Sequence, residues 1–421
     1  MRRSSVFFII GFIVLLTITT GVVPAASEEI TLMAQPGPEA LAYAKVADIY
    51  LKETGVKVNV ATVGRDNYDS RVEPQLMSGT DAFDIIYLTN DRMPGLAAGG
   101  FLEPLDKYMT AKVKVKMSLN DVFPSALASS KFNGKVYGLP TDASTLLLFY
   151  RKDLINNPPQ TWDEFVTVAK QWTKSHNPKS PTTFGGSLQG NVTMLTKSVM
   201  SNGWALGGDL IDVKKRKVVV NSPKVTKVLQ MTVDMVNKDK IIPPDTLSWG
   251  YMEMVGGLQE EVVAMALQWN AAYNTYTDQK QSPKIWDKIG VTSAPGWMVN
   301  GKVKRGPYMN SILLCINPNS KHKQAAFNFM AWASGKEGGK LYTEAGGFSP
   351  RRSVLQNLKD PTIAPFMDSM MVAHPFPAIK EWPQIDTILT RSLSEAVSGE
   401  RTVADALKNA EQQSTKVLSG K

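Results

Sequence analysis

Residues 29–63, EITLMAQPGPEALAYAKVADIYLKETGVKVNVATV, constrain this chain more than any other stretch. A short strand runs into a Gly/Pro turn. A segment with Leu41, Ala44 and Ile49 at helical spacing follows, and Gly55 stops it. VKVNVATV then alternates apolar and polar residues as a half-buried strand does. Two strands joined by one helix in so short a span pair as parallel neighbours through a right-handed crossover.

The pattern continues downstream. FDIIYLT (83–89) reads as a buried strand, and GLAAGGFLEPLDKYM as a helix followed by a turn. TWDEFVTVAKQWTK (161–174) opens with Thr161 three residues before Glu164, which is capping-box spacing. Amphipathic spacing marks two further helices, near 222–238 and 321–334. A chain of 421 residues exceeds one ordinary core, so the reading is α/β with mixed sheets in at least two domains.

The N-terminus has the three parts of a secretory signal peptide, spanning residues 1–26. Arg2 and Arg3 form its charged start, Val6–Leu16 its apolar run and Pro24-Ala25-Ala26 its small-residue exit. Cleavage is expected between Ala25 and Ser27. That exit and the polar residues after it favour removal over a retained anchor. The lone cysteine, Cys315, allows no internal disulfide and lies far from any lipid-attachment position. These features imply a periplasmic protein, free in solution and monomeric, stabilised by its core alone.

Net charge is +9, two units of it carried by Arg2 and Arg3. KVKVK (112–116), VKKRK (213–217) and GKVKR (301–305) hold much of the rest and read as exposed hairpins. No base-stacking aromatics interleave them, so nucleic acid is not an expected partner. The three histidines show no metal-ligand spacing, and no nucleophile elbow, Walker or dinucleotide motif is present. No cofactor, metal or catalytic activity is expected.

DAFDIIYLTNDRMPGLAAGGFLEPLDKY resembles the N-lobe signature of bacterial carbohydrate-binding proteins of the maltose-binding-protein group, extracellular solute-binding family 1. GKVYGLPTDASTLLLFYRKDLI and GPYMNSILLCINPNSKHKQAAFNFMAWASGKEGGKLYTEAGGFSPRRSVL are similar to that family's first and return crossings. The resemblance runs from about residue 29 to 415. It implies a type II periplasmic binding protein fold: two α/β lobes that close on a ligand, like a Venus flytrap. One lobe would comprise 27–140 plus 311–350 and the other 143–307 plus 353–421, with hinges near 140–143, 307–311 and 350–353. It also implies a role in an ABC importer, delivering a sugar to membrane permease subunits.

A sugar presents apolar C–H faces and a rim of hydroxyls, so aromatic rings and paired polar side chains are the expected contacts. Trp269 and Asn270, just beyond the apolar run VVAMALQ, resemble the family's cleft tryptophan and its neighbour. Asn90, Asp91 and Arg92 end FDIIYLT, and an Asp beside an Arg can grip vicinal hydroxyls. Asp142 and Ser144 lie in the first crossing, Tyr308 and Asn310 in the return. Trp204, Gly207, Gly208 and Asp209 form WALGGD, whose glycines would admit close backbone approach. Arg65 and Tyr68 follow the second strand, and Trp382 stands near another family stacking position. Trp162, Trp172 and Trp332 suit packing, as do Tyr251, Tyr273 and Tyr276 on balance. Ser144 replaces the family's maltose-type acid, which argues against maltose itself. A polyamine, ferric complex or organic anion is the alternative ligand class, and a secreted glycosidase the alternative activity.

Overall fold

The computed structural model describes residues 28–64, 68–191 and 194–420. The expected signal peptide and Arg65 lie outside the described residues. Among those described, no helix is long and apolar enough to cross a membrane.

The opening unit forms as its sequence dictates. Strands Glu29–Ala34 and Lys57–Thr62 pair in parallel, joined by helix Pro38–Thr54. Pro38 starts the helix where no backbone donor is needed. Gly55 ends it at φ 75°, its N–H donating to the Leu51 carbonyl. The buried face differs from the expected one. Tyr43, Val46, Ala47 and Tyr50 pack inward, while Leu41 is 66% exposed. Both stripes have helical spacing, but two tyrosines offer more apolar area to the sheet than Leu41 and Ala44 do.

The first sheet has the order 57–62, 29–34, 85–89, 310–316, 138–144. Strand Asn310–Ile316 is antiparallel to both Ile85–Thr89 and Gly138–Ser144 and lies between them. The second sheet has the order 289–293, 146–151, 263–269, 184–187. Its strand Leu146–Arg151 runs antiparallel to Val263–Trp269 and Ile289–Ser293. The chain therefore changes sheets at a single residue, Thr145. Thr145 is buried and bonded to the end of strand 263–269 and to the return crossing: its N–H donates to Asn270 Oδ1 (3.0 Å) and its hydroxyl to the Tyr308 carbonyl (2.8 Å).

One core lies against the first sheet (Tyr43, Ile86, Leu314, Phe329) and another against the second (Leu148, Phe165, Leu229, Trp382). A third joins Phe123 and Ala126 to Leu147, Phe149, Met309 and Phe366, so packing is continuous near the crossings. The SPRRS segment is tethered there by the buried Arg351, which donates to the carbonyls of Ser334 (2.6 Å) and Met117 (2.5 Å).

Local signals hold elsewhere. Thr161 and Glu164 make the capping box of helix Trp162–Gln171. The later helices are Pro223–Val233, extended by a wider turn to Lys238, and Lys323–Ala333. Of the three basic runs, 213–217 and 301–305 lie in hairpins, but KVKVK is inside helix Ala111–Met117. Five alternating residues are too few to impose a strand. Val113 and Met117, four apart, turn the segment toward the first core instead.

Candidate functional site

A cleft of about 470 Å³ between the lobes is walled on one side by the first sheet's helix start and strand end (Gln35, Glu39, Tyr87, Thr89). Residues of the second sheet and its loops (Gln189, Tyr251, Met252, Trp269, Asn270) wall the other side. Asp142, Ser144, Asn310 and Phe348, from the crossings, make the floor. Of the residues expected at a ligand site, the structure brings five together here: Asp142, Ser144, Trp269, Asn270 and Asn310.

Each is placed by its strand. Trp269 is the last residue of Val263–Trp269 and stays half-buried, its ring edge-on to Tyr308 at 5.6 Å. Asn270 spends its carbonyl oxygen on Thr145 and leaves its buried Nδ2 unpartnered at the cleft wall. Gln189 Oε1 is likewise unpartnered. Asn310 and Ser144 face each other in register, with Asn310 Nδ2 donating to Ser144 Oγ at 3.4 Å. Asp142 serves the floor more than the opening: its Oδ2 accepts from Phe348 N–H (2.8 Å) and Tyr342 hydroxyl (3.1 Å). Burial, and next the nearby Glu39, raise its carboxyl well above the usual range.

Other expected contacts serve the scaffold. Asn90 is buried and staples the end of strand 85–89 to the return crossing through Met309 and Ser311. Arg92 does not pair with Asp91. It takes Glu73 in a two-pronged bond (2.7 and 2.5 Å), because the turn after the strand aims it at helix Tyr68–Met77. Tyr68 is buried, its hydroxyl within reach of the Met33 and Tyr87 carbonyls, so it ties two strands together instead of facing ligand.

WALGGD forms a separate groove of about 810 Å³, where Trp204 stacks on His374 at 4.7 Å. Gly207, at φ 72°, follows helix Met194–Ala205, and Lys224 Nζ donates to its carbonyl. Gly208 packs on the Lys224 side chain. Asp209 Oδ1 accepts from the N–H of Leu210. These four residues are thus outside the main cleft. They cluster because the glycine turn folds the segment back on its own helix.

A third group gathers where the lobes meet. Trp269, Tyr308, Phe376 and Trp382 form a ladder with ring centroids 5.6, 5.5 and 6.3 Å apart. Tyr308 and Trp382 are fully buried, yet Tyr308 hydroxyl and Trp382 Nε1 have no partner; neither do Asp91 Oδ1 and Asp386 Oδ1. The lobes touch close by: a Cβ on Gly95 would lie 3.6 Å from the Lys380 carbonyl.

Sequence reasoning missed Gln35, Glu39, Thr89, Tyr87 and Gln189. One available signal was Tyr87 and Thr89 themselves, polar-tipped residues two apart in the otherwise apolar IIYLT. Tyr251 was given to packing and lines the cleft, whereas Tyr276 is in the core.

This arrangement, two sheets with a cleft at three crossings, has relatives. The family model for bacterial extracellular solute-binding proteins matches residues 45–367. The chain belongs to that family. A probable ABC transporter-binding protein of Deinococcus radiodurans is 26% identical over 334 residues, 77% of this chain and 76% of that protein. Among solved structures, maltose-bound MalE3 of T. maritima is 23% identical with a TM-score of 0.76, covering 92% of this chain and 98% of that one. A solute-binding protein of Thermotoga lettingae bound to α-D-tagatose reaches 0.79 at 22% identity, over 93% and 100%. The GacH receptor of Streptomyces glaucescens, solved unliganded and with acarbose, also reaches 0.79 at 22%, over 94% and 99%. The solute-binding protein thus has the two-lobed fold expected of it, and its family and fold are those of binding proteins rather than enzymes. As an extracellular solute-binding protein it is exported.

Proposed function

We propose that this solute-binding protein captures a carbohydrate or polyol in the inter-lobe cleft and presents it to the membrane permease of an ABC importer. The observation that carries this reading is the half-buried Trp269 ring beside the unpartnered Asn270 Nδ2, in a cleft whose volume of about 470 Å³ is in the ordinary range of small-molecule sites. The indole covers a C–H face while the amide takes a hydroxyl. Similar proteins are solved with maltose, ribitol and tagatose, and an arabinooligosaccharide-binding protein of Bacillus subtilis is 26% identical over 52% of this chain.

Capture works by population shift: ligand touching both lobes favours the closed arrangement over the open one. Thr145, bonded to Asn270 and to Tyr308, is the pivot about which the sheets would swing. Cleavage of the signal peptide would leave the protein free in the periplasm as a monomer. Titration calorimetry against mono- and oligosaccharides and polyols tests the proposal, with Kd values of about 1 μM or tighter expected, or roughly −8 kcal/mol. Absent heats across the panel, with no thermal shift, reject it.

A further inference from the structure

The charges of the described residues at the lobe junction do not balance. Asp91 follows strand Ile85–Thr89 on one lobe, and Asp386 lies on helix Trp382–Val397 of the other. They act on each other across the junction, each leaving one oxygen buried and unpartnered. Glu73 and Asp69 lie on the same side as Asp91. Among the described residues, two cations oppose these four acids. Arg92 is committed to Glu73 on both prongs, and Lys197 Nζ sits over the Phe376 ring at 5.2 Å. Even with Lys197 nearby, burial pushes the Asp386 carboxyl up to about 7. Thr196 and Thr390, bonded to each other at 2.8 Å, complete its surroundings. Tyr308 hydroxyl and Trp382 Nε1 supply two further unpartnered groups at the same junction.

Resting on the sugar-capture reading, we propose that Asp91 and Asp386 form a subsite for a protonated amine, so that the preferred ligand is an amino-substituted carbohydrate. An ammonium placed between the two carboxylates supplies the missing positive charge and up to three donors for their unpartnered oxygens. Tyr308 and Trp382 can then serve hydroxyls or the ring oxygen beside the amine. A neutral sugar would leave the two acids facing each other with their repulsion undiminished. Asp386 is the specificity-determining residue in this scheme, because the lobe that carries it reaches Asp91 when the cleft is closed.

The test is titration calorimetry of the full mature chain with glucosamine and chitobiose-type oligosaccharides. Their N-acetylated and hydroxyl counterparts, and spermidine, serve as comparators in buffers of different ionisation enthalpy. The amine forms should bind at least tenfold tighter than the neutral ones. Near pH 7 they should release about half a proton per site, since Asp386 is half protonated there and the ammonium drives it to the anion. Asp386→Asn should abolish both the preference and the release. Asp91→Asn, on the other lobe, should reduce the preference independently, and melting of either variant no lower than that of wild type excludes misfolding. Equal affinity for amine and neutral forms, or a preference for the neutral form, overturns the subsite and leaves sugar capture standing. Tight binding of spermidine with no sugar binding overturns both.

Discussion

Removing the Trp269 ring is the sharpest test of the cleft. An aromatic side chain offers about 150–250 Å², and half-burial of this one leaves roughly 100 Å² for a ligand. At about 25 cal/mol per Å² the exposed face is worth some 2.5 kcal/mol, so Trp269→Ala should weaken sugar binding about 70-fold. Trp269→Phe should keep roughly half of that energy and lose about tenfold. The same ring meets Tyr308 edge-on at 5.6 Å, a contact worth about 1 kcal/mol, so a fall of a few degrees in Tm accompanies the alanine variant. Calorimetry with the tightest sugar of the panel reads the first effect and a melting scan the second. If Trp269→Ala melts a few degrees lower but binds its sugar as tightly as before, the ring is only packing and the cleft has been misread.

Three further outcomes follow from the geometry. Gly95→Leu should hold the lobes apart, since its side chain would collide with the Lys380 carbonyl. Small-angle scattering should show no compaction on adding sugar, with affinity down at least tenfold, whereas Gly95→Ala should behave as wild type. Thr145→Val removes the buried bond to the Tyr308 carbonyl and should cost about 1–3 kcal/mol in urea unfolding; an unchanged midpoint would show that the pivot does not depend on it. Burial pushes the Asp386 carboxyl up to about 7 against an unfolded value near 3.9, so its ionisation adds no penalty below pH 4. The penalty grows between pH 4 and 7 to roughly 4 kcal/mol and is complete above 7. Asp386→Asn should therefore gain stability over wild type progressively across that window, and parallel pH profiles of the two proteins would contradict the shift.

Much of the scaffold is legible in short-range signals. Gly55, the Thr161–Glu164 box and the alternation of VKVNVATV each act through neighbours within a few residues, so the sequence shows both the cause and the effect. The family motifs add the sheet-to-sheet crossings. Side-chain partners are less legible because they depend on long-range approach. Arg92 stands next to Asp91 in sequence but pairs with Glu73, and Asn90 bonds residues more than two hundred positions away. WALGGD has the composition of a ligand loop, yet the helix before it carries it to the outer groove. Within the cleft, Trp269 and Asn270 were readable as polar-tipped residues beyond an apolar run. Gln189 and Glu39 were not, since single polar residues near a helix start or strand end are common on any surface.

Strand Gly138–Ser144 has one neighbour in its sheet, Asn310–Ile316, which is made some 170 residues later. A ribosome emitting this chain therefore cannot finish the first sheet until three-quarters of the polypeptide has emerged. Pairing over so long a sequence separation is slow. Until Asn310–Ile316 arrives, Ile85–Thr89 and Gly138–Ser144 lack the one strand that joins them, so the floor of the cleft is among the last parts of the molecule to form.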